Sequence, residues 1–231
     1  GYNTAWMDPG TELIKINGVY RSSIIISPKN GKLPWDQKKR REYFAKDYRR
    51  GFKRTDHPEL RGVGERCIVG FGSSGGPPMM NVLYNNNYQI VQSPGYVMIM
   101  AEMIHDSRII RLEGSHLPKL IDPWMGDSIG RWEGDTLVVE TRNFNYQHIH
   151  RAALRHYFAI SKDAKVTELF KRISDTEIMY RFSVDDPDLY KSSWQGEMPL
   201  RLQNDRIYEY ACHEGNYAMA NILAGAREKE K

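Results

Sequence analysis

The chain has only two cysteines, Cys67 and Cys212, in 231 residues. No cysteine pair stands at metal-ligand spacing, and no His-Glu-x-x-His or acidic calcium loop is present, which removes the strongest metal signatures. Two cysteines fit either one structural disulfide in an oxidising compartment or two buried thiols in the cytosol. Long apolar runs are also missing. The longest, Tyr96 to Ile104, is interrupted by Glu102 and falls far short of the ~20 residues of a membrane helix, so no membrane span is expected. Charge of one sign is lacking too. Thirty-three Lys and Arg against 29 Asp and Glu leave a net charge of +4, and nucleic-acid binding is not implied. The sequence starts at Gly1-Tyr2 without a basic-then-apolar leader, which is compatible with a removed signal peptide.

What is present is a β-rich composition. Fourteen tyrosines and five tryptophans accompany short segments of alternating polarity separated by turn residues. Strands are expected at Tyr88 to Gln92, Tyr96 to Ile104 and Arg108 to Glu113, then as hairpins around Gly134-Asp135 and Ser174-Asp175-Thr176. Trp194 to Leu202 and Ile207 to Cys212 complete the series. Short strands joined by tight turns, without helical crossovers, predict one mainly β domain over 1–231: an antiparallel calycin- or lipocalin-like barrel, or a strongly curled sheet. A charged peripheral helix is expected over 33–54, carrying Tyr43, Phe44 and Tyr48 on one side. Nine Lys or Arg between Lys38 and Arg54 face only Glu42 and Asp47, which reads as a solvated basic face. A C-terminal helix over 217–231 is expected to dock on the sheet. Gly70 to Pro78 reads as a mobile loop beside a pocket, since no Gly-Lys-Ser/Thr follows its glycines.

Several stretches carry a resemblance. They include Tyr2-Asn3, Asp8-Pro9-Gly10-Thr11, Arg21 to Ile25, Tyr84 to Ile90, Glu102 to Ile110, Gly126 to Thr141, and Tyr210-Ala211-Cys212-His213-Glu214-Gly215-Asn216-Tyr217. In these the chain resembles an uncharacterised family of secreted bacterial proteins from acidobacteria and proteobacteria. The resemblance implies export to the periplasm or beyond and supplies no reaction. It is weakest from Tyr146 to Ala164, where His148, His150 and His156 crowd together.

Candidate chemistry gathers in two places. Glu102, His105, Asp106 and Arg108 combine a base, two carboxyls and a fixed cation at a strand end, the set that acid–base chemistry requires. Tyr210, His213 and Glu214 form a similar set where the last expected strand turns into the helix. Asn85, Asn86 and Asn87, with Tyr88 and Trp132, are candidates for substrate binding, although consecutive Asn residues also suit a turn. His148, His150 and His156 are weak metal candidates, so no metal or other cofactor is expected. Glu140 with Arg142, and Glu168 with Arg172, read as the solvent face of half-exposed strands.

These residues point first to a cofactor-independent lyase, isomerase or hydratase acting on a small molecule in a barrel cavity. In that mechanism His105 or His213 abstracts a proton, and the two share one cavity. The alternative is a lipocalin-like carrier whose polar cluster only orients a ligand. Nothing in the sequence fixes the oligomeric state, and a homodimer is compatible with it.

Overall fold

The computed structural model describes residues 10, 12–47, 49–153 and 156–231, with the side chains of 152, 153 and 156 excluded. Tyr48 and the first stretch of the family resemblance, through Pro9, lie outside the described residues.

The protein is mainly β, with a nine-stranded sheet and two α-helices among the described residues. A small hairpin, β1 (Lys15–Ile16) and β2 (Val19–Tyr20), precedes β3 (Ile25–Ser27) and helix α1 (Gln37–Ala45). Strands β4 (Tyr88–Ser93), β5 (Tyr96–Ala101) and β6 (Ser107–Arg111) form the expected meander. Next come β7 (Asp127–Glu133), β8 (Thr136–Arg142), a second small hairpin of β9 (His150–Ala153) and β10 (His156–Ala159), then β11 (Lys165–Arg172), β12 (Glu177–Asp185), β13 (Trp194–Arg201) and helix α2 (Tyr217–Glu228). In space the large sheet runs β3-β13-β12-β11-β8-β7-β6-β5-β4.

Two features depart from an all-antiparallel barrel. β6 and β7 pair in parallel, Ile110 opposite Ser128, which the connection from Leu112 to Gly126 makes room for. Among the described residues β3 and β4 are the edges and no ladder joins them, so the sheet is open there. Its inner face forms the core by period-two alternation: Val97 and Ile99 of β5, Val139 of β8, Val166 of β11, Tyr180 and Phe182 of β12, and Trp194 of β13 are all buried.

Three expected elements change. Helix α1 is shorter than 33–54. Asp36 caps its start, accepting from the Lys38 and Lys39 N–H groups. Past its end the Asp47 carboxylate accepts from the Arg49 N–H at 2.9 Å and turns the chain. Ile207 to Cys212 is not a strand but an irregular arm, in which the Tyr208 and Tyr210 amides donate to the Glu102 and His105 side chains and the Cys212 amide to the Tyr210 carbonyl. Helix α2 does not brace the sheet: it has no buried residue, and its Arg227 donates to the carbonyls of Thr55 and Asp56.

The Gly70–Met80 loop is also unlike its expectation. It packs against the inner face of the sheet as a plug instead of standing free, with Ser73, Ser74, Met79 and Met80 buried. Internal partners make this burial tolerable. The Met80 N–H donates to Ser73 O at 3.0 Å, the Tyr88 hydroxyl to Ser74 O at 2.6 Å, and the Met79 N–H to the Tyr180 hydroxyl at 2.9 Å. Cys67 and Cys212 form a disulfide with Cα atoms 5.7 Å apart, tying the start of this region to the C-terminal arm.

Candidate functional site

Alternation along β6 and β11 sends Arg108 and Glu168 inward, where they meet under the plug. Arg108 makes two bonds to the Glu168 carboxylate, one of them through Nη2 at 3.1 Å, and the Tyr180 hydroxyl donates to Glu168 Oε1 at 2.7 Å. Both partners are almost inaccessible to water. Burial opposes the Arg108 cation, but the adjacent Glu168 charge more than reverses this and holds its pKa above the ordinary value. The Tyr180 hydroxyl is pushed well up by burial and by the same carboxylate. Glu168 therefore does not lie on a solvent face. Glu140 and Arg142 do, paired at 2.7 Å near the surface.

The other members of the first cluster diverge from Arg108. Glu102 is 2% exposed; its Oε2 accepts from the Asn87 amide at 2.8 Å and its Oε1 from the Tyr208 N–H at 3.0 Å. His105 is exposed, and its Nε2 accepts the Tyr210 N–H at 3.2 Å. The turn achieves this divergence by placing Ile104 and His105 in the left-handed region, at φ 60° and 55°. Asp106 points back under the loop and accepts the Gly70 N–H at 2.5 Å. The approach is close enough that a Cβ at Gly70 or Gly75 would stand 3.2 or 3.1 Å from its Oδ2. Burial raises Asp106 to about 6.

Beside Asp106 lies a second buried cation, Arg151, on β9. Burial pulls it down to about 9, and it contacts the ring of His148 closely. His148 faces the Trp124 carbonyl at 3.0 Å through Nδ1, and burial, then Arg151, holds its pKa well below the ordinary value. His150 turns elsewhere, stacked on Phe44 at 5.0 Å with Nδ1 2.8 Å from the Tyr157 hydroxyl. The two rings do not converge, because Tyr146–His148 is a 3-10 turn and period-two alternation does not carry across it. The side chain of His156 lies outside the described residues. Among the described residues no three His, Cys, Asp or Glu side chains gather as metal ligands.

The open side of the sheet holds a cavity of about 1100 Å³. Its walls come from both flanks of the sheet and from the arm: Ile90 and Met100, then Ile178, Met198 and Leu200, then Ile207. Polar groups share the lining, including Arg172, Glu177, Arg201, Arg206 and Glu209. Of the candidates named from sequence, Asn86, Asn87, Tyr88 and His105 line this cavity. Asn85 is not among its walls; it supplies a left-handed turn, φ 53°, and Asn86 closes that turn by bonding both backbone groups of Val82. Trp132, 47% exposed at the end of β7, lies away from it. Tyr210 stacks on Tyr84 at 6.3 Å, and burial, then Tyr84, pushes its hydroxyl up to about 12. His213 and Glu214 are exposed and outside the cavity wall, so His105 and His213 do not share this site.

Two features carry weak sequence signals. Glu168 and Arg151 look like ordinary strand charges, and only their register shows them to be interior. Gly72-Ser73-Ser74-Gly75-Gly76 fits the Gly-x-Ser-x-Gly pattern of nucleophile elbows. Here, however, no strand–turn–helix surrounds it, and the buried Ser74 hydroxyl donates to the Phe71 carbonyl at 3.2 Å. Comparison with family models, with curated proteins and with solved structures gave no match to this chain.

Proposed function

We propose that the protein binds a small amphipathic molecule without transforming it, using the curled sheet as an incompletely closed, calycin-like cup. The observation that carries this reading is the cavity of about 1100 Å³, whose surface is supplied mainly by apolar side chains from both flanks of the sheet, with charged and amide side chains sharing the lining. The groups expected to do chemistry support the same reading by being engaged elsewhere. Arg108 is held by Glu168, Glu102 by two amide donors and Asp106 by Gly70, each in a different direction. A reacting centre would need them to converge.

Titration with N-phenyl-1-naphthylamine, whose fluorescence rises in apolar surroundings, tests the proposal. We expect saturable enhancement that Leu200→Trp, which fills the cavity from β13, weakens by at least about tenfold, the equivalent of ~1.4 kcal/mol. No saturable signal, or equal affinity in the variant, would overturn it.

An acid–base lyase, isomerase or hydratase is a second proposal, supported by His105 and Glu209 both lining the cavity. His105→Ala separates the two: it abolishes turnover if the protein is an enzyme and leaves probe affinity nearly unchanged if it is a carrier. The Cys67–Cys212 disulfide supports a further part of the proposal, that the protein works in an oxidising compartment such as the periplasm and belongs with the secreted proteins it resembles.

A further inference from the structure

Positive charge is concentrated in one stretch of the chain. Between Lys38 and Arg54 nine Lys or Arg stand against Glu42 and Asp47, a net charge of +7. The whole chain carries +4, so everything outside this stretch sums to −3. Part of the basic set is committed to the body of the protein: Arg40 lies over the Trp35 ring at 4.5 Å, and Lys39 donates to the Pro187 carbonyl at 3.0 Å. Tyr43 and Phe44, half-buried like Arg40, complete the inward side of α1, while Lys38, Arg41 and Lys46 are exposed.

Beyond α1 the chain makes a tight turn in which the Phe52 N–H donates to the Arg49 carbonyl at 3.2 Å. Gly51 takes its left-handed position, at φ 89°, which residues with a side chain rarely adopt. The turn leaves Phe52 62% exposed, with Arg50, Lys53 and Arg54 exposed around it. Arg50 donates to the Ala45 carbonyl at 2.9 Å, which brings its guanidinium to the end of α1. Lys38 is 4.0 Å from Glu42 and Arg54 is 3.5 Å from Glu65, whereas Arg41, Lys46, Arg50 and Lys53 form no ion pair among the described residues.

Exposed cations of this kind attract any polyanion, but a purely ionic partner gains nothing from a phenyl ring held out among them. An anionic bilayer answers both features: its headgroups meet the cations, and its apolar interior buries the ring. We infer that the turn Arg49–Arg54 and the exposed side of α1 form a docking surface for an anionic lipid membrane. Phe52 enters the boundary between headgroups and acyl chains, and Arg41, Lys46, Arg50 and Lys53 meet the headgroups. None of these residues lines the large cavity, so the surface stands independently of the carrier reading.

The test is co-sedimentation of the full chain with vesicles. Vesicles of phosphatidylglycerol mixed with phosphatidylcholine should bind it saturably, and added salt should release it. Vesicles of phosphatidylcholine alone should bind at least about tenfold more weakly. A basic residue near an anionic surface contributes a factor of about five in affinity, so Lys46→Gln combined with Arg50→Gln should weaken binding roughly twentyfold. Phe52→Ser should weaken it about tenfold. In Phe52→Trp, the emission in excess of the native chain's should move to shorter wavelength on the anionic vesicles and stay in place with heparin, a soluble polyanion. Leu200→Trp, which blocks the large cavity, should leave vesicle binding unchanged, so failure here and failure of the carrier reading are separable. No binding to the anionic vesicles overturns the proposal, as does undiminished binding by the folded Lys46→Gln, Arg50→Gln variant. Adsorption without the emission shift, or an equal shift with heparin, would make the partner a soluble polyanion and overturn it too. Should the double variant not fold, salt release of the native chain and the emission of Phe52→Trp decide.

Discussion

Under the Gly70–Met80 plug, Arg108 and Glu168 are bonded to one another out of reach of water, whereas beside the large cavity the arm from Ile207 to Cys212 is held by few contacts. Two of its amides reach Glu102 and His105, one ring stacks on Tyr84, and one disulfide anchors its end. The first region concentrates charge where water cannot reach, so its chemistry is spent on structure. The second leaves apolar surface beside water, which suits binding. Strongly perturbed titratable groups usually mark active sites. In this protein Arg108, Tyr180, Asp106 and Arg151 are shifted beneath the plug, Asp186 and Tyr190 in the core, and Tyr88 at the cavity wall, chiefly by burial except at Arg108, so the shifts do not single out the cavity.

The comparison breaks if the interior pair is dispensable. Glu168→Ala strands the Arg108 cation and is expected to cost about 3–5 kcal/mol in urea unfolding, whereas replacing both residues by Met and Leu should cost much less. A small loss in the single variant would show that water reaches the pair. Replacing Cys67 and Cys212 by Ser is expected to cost about 2–4 kcal/mol and to speed hydrogen exchange at the Tyr208 and Tyr210 amides, while the Met79 amide under the plug stays protected. Uniform acceleration would erase the distinction between the two regions.

The smallest expected effect concerns pH. Asp106 lies at about 6 in the folded chain against an ordinary 3.8, because it is buried. Between these values the folded chain keeps a proton that the unfolded chain has released, so the contribution is full below about 4 and lost as pH rises through about 6. Relative to Asp106→Asn, the native protein should therefore be more stable at pH 4.5 than at pH 7, by of order 2 kcal/mol. Parallel stability curves for the two proteins would place Asp106 in water.

Much of the sheet was legible because its pattern is local. The meander from Tyr88 to Arg111 turns at Pro94-Gly95, and the β11–β12 hairpin follows from its own turn residues. The site was less legible because it depends on register. Whether Glu168 faces water or Arg108 is decided by strand pairing across 60 residues, which composition does not encode. Ile207 to Cys212 reads as a strand by content, yet its amides found the Glu102 and His105 side chains in place of a neighbouring strand. The pairing of Cys67 with Cys212 was one of two readings open from two cysteines. The parallel contact of β6 with β7 had no local signal at all.

The placement of β3 has a consequence for how the chain is made. Ser27 pairs with Gln195, so one edge of the sheet joins the beginning of the chain to nearly its end. Its closure entropy must be met before its few ladder bonds can form, and β3 is only three residues long. During synthesis the β4–β8 region can assemble from neighbours as it emerges, while β3 waits for some 170 later residues. The order of assembly thus runs from the middle of the sheet outward, and the edge that β3 forms on β13 closes after the β4–β8 region has formed.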